Sequence, residues 1–475
     1  MKTNTPALVS SEALLRGTNL CAEFDCALGD KRRTARLQRV VEAMAPDPAR
    51  SFPEMVQDDA EQEALYRLIR NDALTFRAVF EPHQRATAAR AKALGEVLVV
   101  HDTTTFMFPR REGHDRRWLE PKSRDRQGFY GHVGLVVSPD GLRAPFGVVT
   151  FEGYVHNSQV DEETIEFWDR QFDAREGEGE RWLAGMKAAE STLDGCRAIH
   201  VADREADRND VLGWAAASAP QRGFVIRATR VARDAEGTTV DDLLAEQPFV
   251  AERRITLNPR SLQGVPKRSQ TFPERPRREA TLSFRARHVL LKPYHADAIS
   301  LRVVEAVELS PPADQEPVRW ILFTGEPTES VEDILRVVDI YRSRWLIEEY
   351  FKAIKTGCGY SKRQLDSAQT LLVALAITLP IAWQLLALRH HSRHDADVPA
   401  TTVLTPLQLK LLMASRTKLP WSPTPTVAEA CRAIASLGGH HRSKGMPGWQ
   451  ILGRGLQKLL SMEVGAQLLL AGRLA

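Results

Sequence analysis

Cysteine is scarce in this chain. Five are found in 475 residues, at positions 21, 26, 196, 358 and 431, and no two form a C-x-x-C pair. An odd, scattered set excludes a disulfide framework and a zinc knuckle, and it predicts reduced thiols in a cytoplasm. His390, His391 and His394 sit close together, but no H-E-x-x-H glutamate and no nearby cysteine accompanies them, so the signature of a zinc site is missing. The N-terminus, "MKTNTPALVSSEALLRG", has no apolar core of secretory length, which predicts no signal peptide. Internal repeats and long low-complexity tracts are absent as well. One uncharged run is long enough for a membrane span, "SAQTLLVALAITLPIAWQLLAL" at 367–388. Its Ser367, Gln369, Thr370, Thr378, Pro380 and Gln384 predict instead a buried core helix, bent or broken at Pro380, and no membrane association.

What is present fits a large soluble chain, 43% hydrophobic, with length for roughly two to four domains. The net charge of +3 hides a concentration of basic residues. Residues 253–292 hold eleven Lys and Arg against Glu274 and Glu279, leaving the rest of the chain at about −6. A basic segment threaded with Pro276, Phe284 and Tyr294 suits a polyanion; the alternative is an exposed β-rich insertion.

Residues 28–75 read as helical. "LGDKRRTARLQRVVEAM" places Leu37, Val40, Val41 and Met44 on one stripe, with Asp30 as N-cap and Arg32, Arg33 and Arg36 mostly off it; "EALYRLIRN" repeats the mixture with Arg67 and Arg70. The period then changes. "GEVLVVHDTTTF" (95–106) and "CRAIHVADREAD" (196–207) are β-branched runs that reach Asp102 and Asp203 at what read as strand ends. Pro139-Asp140-Gly141 predicts a hairpin between them, and "GFVIRATR" and "VRWILFTGEP" predict further strands. Ser330 and Asp333 form an S-x-x-D capping box opening one long helix that Gly357 closes. Beyond about 370 the chain is Leu/Ala-rich and helical, with a Pro-rich connection at 418–430. The expected class is α/β, interrupted by a β-rich insertion at 231–318.

Strand-end aspartates gather in the crevice at the carboxyl edge of an open sheet, where hard cations such as Mg²⁺ relieve their repulsion. The helix at 331–356 would bring a third carboxylate. On an ideal helix Tyr341, Arg344, Glu348 and Lys355 lie at roughly 0°, 300°, 340° and 320°, one narrow stripe, whereas Glu349 points away at about 80°. Three carboxylates can hold two metal ions for in-line phosphoryl transfer, with Arg344 and Lys355 on phosphate oxygens and Tyr341 donating a hydrogen bond.

At these residues the chain resembles the DDE transposases of bacterial insertion sequences, the group typified by the transposase of transposon five. The Y-x2-R-x3-E-x6-K signature stands as Tyr341, Arg344, Glu348 and Lys355, and "VVHDTTTF" and "VADREAD" resemble the two aspartate motifs. The resemblance implies a ribonuclease H-like catalytic core (76–370), a helical N-terminal DNA-binding domain (1–75) and a helical C-terminal dimerisation domain (371–475), the last through "IASLGG" at 434–439. It implies Asp102, Asp203 and Glu348 as catalytic residues and ligands of two Mg²⁺ ions, with Mn²⁺ able to substitute. It also implies DNA contacts by Trp320, Trp345, Tyr341, Arg344, Lys355, Arg32, Arg33, Arg36, Arg67 and Arg70. The partners would be transposon-end duplex, target DNA and a second copy of the chain, in a bacterial cytoplasm. The chemistry would be end nicking, hairpin formation with a base stacked on Trp320, hairpin opening and strand transfer.

Overall fold

A computed structural model describes residues 23–24, 28, 30–44, 59–71, 74–110, 117–156, 161–172, 180–217, 221–229, 232–257, 274–292, 297–313, 315–394, 396–402, 404–415, 420–440 and 447–470. The chain divides into two compact units, Met1–Cys196 with Trp345–Ala475, and Arg197–Arg344. In chain order the first unit holds α1 (Lys31–Met44), α2 (Asp59–Ile69), α3 (Phe76–Leu94), β1 (Glu96–Pro109), β2 (Glu120–Pro121), β3 (Arg126–Val137), β4 (Pro145–Tyr154), α4 (Glu162–Gln171) and α5 (Glu180–Thr192). The second holds β5 (Arg197–Ala202), α6 (Asn209–Ala216), β6 (Gly223–Arg227), α7 (Val240–Ala245), β7 (Ala251–Leu257), β8 (Arg278–Leu291), β9 (Ile299–Val307), β10 (Arg319–Thr324) and α8 (Val331–Arg342). The chain returns to the first unit with α9 (Trp345–Lys352), α10 (Ala368–His394), α11 (Pro406–Ala414), α12 (Val427–Leu437) and α13 (Trp449–Leu470). The class is α/β with helices at both ends of the chain, as expected.

In the first unit Asp30 opens α1 as anticipated, its Oδ1 accepting from the backbone N–H of Arg32 at 2.6 Å and of Arg33 at 3.2 Å. Leu37 and Val40 are buried; the side chains of Val41 and Met44 lie outside the described residues. β1 pairs antiparallel with β3 from Leu98↔Val137 to Pro109↔Arg126. The hairpin joining β3 to β4 turns at Pro139-Asp140-Gly141, where Asp140 Oδ1 accepts from the N–H of Leu142 (3.1 Å) and of Arg143 (3.2 Å). One expectation needs correction. β1 does not end at Asp102 but runs seven residues further, because Thr104, Phe106 and Phe108 alternate inward and continue the ladder. α10 is the buried core helix expected, continuous through Pro380.

α10 is the one described helix long and apolar enough to cross a membrane by length and composition, yet 94% of its apolar window is buried within the protein. Trp383 donates its indole N–H to the carbonyl of Pro145 at 2.9 Å, and Tyr350 and Tyr360 donate to the carbonyls of Leu379 and Leu371 at 2.9 and 2.8 Å. Three described cysteines, Cys196, Cys358 and Cys431, are free and buried; Cys21 and Cys26 lie outside the described residues. Toward the C-terminus Gly438 of "IASLGG" has a packing reason. A Cβ on Gly438 would stand 2.0 Å from the carbonyl oxygen of Ile451, and one on Gly455 would stand 1.7 Å from that of Ile434, so α12 and α13 meet backbone to backbone.

The second unit places its strands in the order β5-β6-β10-β9-β8-β7. β5 and β6 are parallel, and from β6 through β10 and β9 to β7 every pairing is antiparallel. The basic stretch maps onto β7 and β8, where its charge is answered locally. Arg253 is paired with Asp339 (2.9 Å), Arg278 with Glu308 (2.5 Å), and Arg285 and Arg287 with Glu305 and Glu246. These four arginines therefore answer acidic groups of the fold, as the β-rich-insertion alternative expects; Arg260, Lys267, Arg268 and Tyr294 lie outside the described residues.

The capping box is present. Asp333 N–H donates to Ser330 Oγ and Ser330 N–H to Asp333 Oδ2, both at 3.1 Å. The single long helix is not. α8 stops at Arg342, Ser343 and Arg344 form a tight turn in which Arg344 N–H bonds back to Tyr341 O at 3.0 Å, and α9 gives way to a π-helical turn over Ala353–Gly357. The unit boundary falls at the same turn.

Candidate catalytic site

Strand periodicity puts Asp102, Thr104 and Phe106 on one face of β1, with His101 and Thr103 on the other. α9 packs against β1, and the π-helical turn beyond it directs Lys355 back to this face. Lys355 Nζ donates to Thr104 Oγ1 at 2.6 Å and passes the rings of Phe106 and Phe351 at 5.6 and 6.0 Å. Burial lowers the Lys355 pKa from its ordinary value, while the negative charges of Glu348 and then Asp102 act to raise it. Glu348 and Lys355, close together in sequence, thus share one electrostatic neighbourhood in the first unit with Asp102, which lies far from both in the chain. Thr104 was not singled out by sequence reasoning. The period of two from Asp102 was the available signal; its partner 251 residues away was not legible.

Glu349 takes a different course from its neighbour. It accepts from Lys352 at 3.0 Å and lies 3.7 and 3.9 Å from Arg389 and Arg393 of α10. Trp345 is exposed, with the Lys352 ammonium 5.6 Å from its ring. On the opposite face of β1, Thr103 Oγ1 and His132 Nδ1 are 2.9 Å apart, and burial pulls the His132 pKa down to about 3, with the Arg181 charge acting the same way.

In the second unit Asp203 follows the last residue of β5 and caps a short turn, its Oδ1 accepting from Glu205 N–H at 2.9 Å. Asp207, at the end of the same motif, is buried and accepts from Thr229 N–H at 2.8 Å, which ties the β5 and β6 ends together. Tyr341 is buried with its ring 5.6 Å from that of Trp320 in an edge-on contact; Arg344 is half-buried in the turn after α8. Asp102, Glu348, Lys355 and Trp345 belong to one unit, and Asp203, Trp320, Tyr341 and Arg344 to the other. Among the described residues no group of three or more His, Cys, Asp and Glu side chains is gathered closely enough to hold a metal ion. The donor set at Asp102 and Glu348 is of hard carboxylate oxygens, the type that Mg²⁺ and Mn²⁺ take and zinc sites seldom use alone.

In the N-terminal helices Arg32 and Arg36 are exposed and Arg33 half-buried. Arg67 pairs with Glu63 one turn earlier at 3.0 Å, and Arg70 pairs with Asp366. Residues 22–74, which contain these arginines, match the family model described as transposase DNA-binding. Among solved structures the chain is similar to a piggyBac transposase synaptic complex with hairpin DNA, at 9% identity and a TM-score of 0.34, over 77% of this chain and 67% of that one.

Proposed function

We propose that this protein is a DNA transposase of the DDE type, from the group of bacterial insertion sequences that it resembles in sequence, acting on DNA in the cytoplasm. The observation that carries the reading is the placement of Lys355 on the face of β1 that bears Asp102, under the charges of both Asp102 and Glu348. The transposase DNA-binding match at 22–74 supports it independently.

In this reading Asp102, Asp203 and Glu348 form the catalytic triad of a ribonuclease H-like core and hold two Mg²⁺ ions, for which Mn²⁺ can substitute. Divalent ions so held supply the charge that makes a nucleophile of water or a 3′-hydroxyl and that stabilises the leaving oxygen. The chain's own groups do the rest. Arg344 and Lys355 hold phosphate oxygens of the transposon end, Arg through its planar fork and Lys as a point charge. Trp320 offers an aromatic face to an extruded base, which allows the sharp turn of a hairpin intermediate, and Trp345 contacts DNA. Exposed Arg32 and Arg36 contact the end duplex. Two copies, joined through the C-terminal helices, pair two ends before strand transfer into target DNA.

The test is strand transfer. Purified protein, pre-cleaved transposon-end duplex and a supercoiled plasmid are incubated with Mg²⁺. A transposase joins the labelled 3′ end covalently to the plasmid. Cleavage of uncut ends without joined product would instead identify a site-specific endonuclease, and binding without either product a DNA-binding repressor.

A further inference from the structure

Resting on the reading of residues 22–74 as the DNA-binding module of a transposase, we infer that Glu23 is a positioning residue, whose carboxylate latches the start of that module into a receptor built by α3, β4 and α10. Glu23 and Phe24 are buried. Both carboxylate oxygens of Glu23 are held: Arg90 Nη1 donates to Oε1 at 2.6 Å, and His83 Nδ1 donates to Oε2. His83 Nε2 accepts the backbone N–H of Val148 at 3.1 Å, so the ring's proton sits on Nδ1 and the imidazole is neutral. Burial acts to raise the Glu23 pKa, but the hydrogen bonds from His83 and Arg90 outweigh it and bring it to about 2, so the carboxylate is charged.

The receptor's donors are aimed by groups outside residues 22–74. Arg90 Nε donates to the carbonyl of Phe146 at 2.7 Å and Nη2 to Thr87 Oγ1 at 3.2 Å, and the guanidinium lies 4.3 Å over the Trp383 ring. A Cβ on Gly147 would stand 2.1 Å from Thr87 Oγ1 and 2.9 Å from Arg90 Nη2, so β4 lays bare backbone against the guanidinium. Arg90 Nη1 and His83 Nδ1 are thereby left converging on one carboxylate. A mostly buried guanidinium without its counter-charge is costly, which makes the receptor selective for an anion. The far end of the module has a tie of its own, because α1 packs on α2 and Arg70, just past α2, pairs with Asp366. Glu23 supplies the near tie, a few residues before Asp30 opens α1. Two ties fix a rigid body where one leaves a hinge, and so Glu23 sets where the exposed Arg32 and Arg36 stand on the first unit.

The experiment measures amide hydrogen exchange and thermal unfolding of the full-length, DNA-free protein, wild type, Glu23→Ala and Glu23→Gln, in acetate and in chloride at equal ionic strength. Single-turnover cleavage of a transposon-end duplex follows in the same two salts. Acetate carries the two carbons and the charge that Glu23→Ala removes, so it refills the receptor without being joined to the module. Glu23→Ala should lower Tm by about 5 °C, and acetate should return most of that loss. Exchange in α1 should nonetheless stay about tenfold or more faster than wild type in either salt, and cleavage of bound duplex should fall on the order of tenfold without recovery in acetate. Glu23→Gln, which keeps the shape and loses the charge, should release α1 too, and it carries the comparison should Glu23→Ala fail to fold. Wild-type exchange in α1 in a variant that folds, or recovery of α1 protection and cleavage together with Tm in acetate, would overturn the proposal alone. Release of α1 in the variants of a protein whose wild type neither binds nor cleaves the duplex would overturn the transposase reading and leave the latch standing.

Discussion

Glu349 Oε2 lies 3.7 Å from the guanidinium of Arg389, a residue of α10 whose own guanidinium is stacked 4.1 Å over the Trp449 ring. This sets the two adjacent glutamates of α9 apart. Glu348 bears on Lys355, whereas Glu349 anchors α9 to the C-terminal helices. Glu349→Gln should leave cleavage of a transposon end by the folded fraction nearly unchanged. It should nonetheless cost about 1–3 kcal/mol of stability, since part-buried Arg389 loses its counter-charge, a larger effect than a surface pair would give. Thermal unfolding alongside cleavage per folded molecule separates the two effects; a fall in cleavage as deep as that of Glu348→Gln would reverse the assignment.

Tyr341 is buried against Trp320, so its ring packs whatever its hydroxyl does. Tyr341→Ala should destabilise the protein by about 3–5 kcal/mol, the cost of emptying an aromatic site. Tyr341→Phe should keep the fold and lose only the contribution of one hydrogen bond to phosphate, read as a small drop in end binding. A Tyr341→Ala variant with wild-type thermal stability would show that the ring is not held in this packing.

Arg32 and Arg36 are exposed on α1, while Arg67 and Arg70 are engaged with Glu63 and Asp366. Alanine at Arg32 or Arg36 should weaken end binding and reduce the slope of log affinity against log salt by about 1 each. Alanine at Arg67 should change the slope less. Equal slopes for wild type and the Arg32 and Arg36 variants, measured by fluorescence anisotropy across a salt series, would remove these residues from the DNA interface.

Burial lowers the His390 pKa from its ordinary 6.5 to about 3, with the His394, His391 and Arg393 charges acting the same way. Because the folded value lies below the unfolded one, the unfolded chain takes up a proton that the folded chain refuses. Stability is therefore lost as pH falls below about 6.5, by about 2 kcal/mol between pH 6.5 and 5 for this one group. His390→Gln, which keeps a donor for the Leu142 carbonyl now 2.7 Å from Nε2, should flatten that part of the curve of unfolding free energy against pH. An unaltered acid slope in the variant would contradict a buried, neutral His390.

Local grammar was legible in the sequence. Asp30, the Ser330 and Asp333 pair and the Pro139-Asp140-Gly141 turn each act on backbone groups within four residues, and the structure places all three as expected. Contacts between distant segments were not. Arg253 meets Asp339 86 residues away, so part of a segment that reads as uncompensated positive charge is paired by the fold. The turn at Ser343 and Arg344 also escaped, since neither residue is a strong helix breaker. A stripe computed on one unbroken helix consequently spans two helices and a π-helical turn, yet it still delivers Glu348 and Lys355 to one neighbourhood, because both lie beyond the break.

The central proposal is that Asp102, Asp203 and Glu348 are each required for DNA cleavage, and it is tested most directly by single-turnover cleavage of a labelled transposon-end duplex in Mg²⁺. Asp102→Asn, Asp203→Asn and Glu348→Gln are compared with wild type after gel-shift confirmation that each still binds the duplex. The account predicts near wild-type binding in all three and a loss of cleavage on the order of a hundredfold or more in each, because an amide cannot replace a carboxylate as ligand to a hard cation. Cleavage within about threefold of wild type by any one of them, with binding intact, would contradict it.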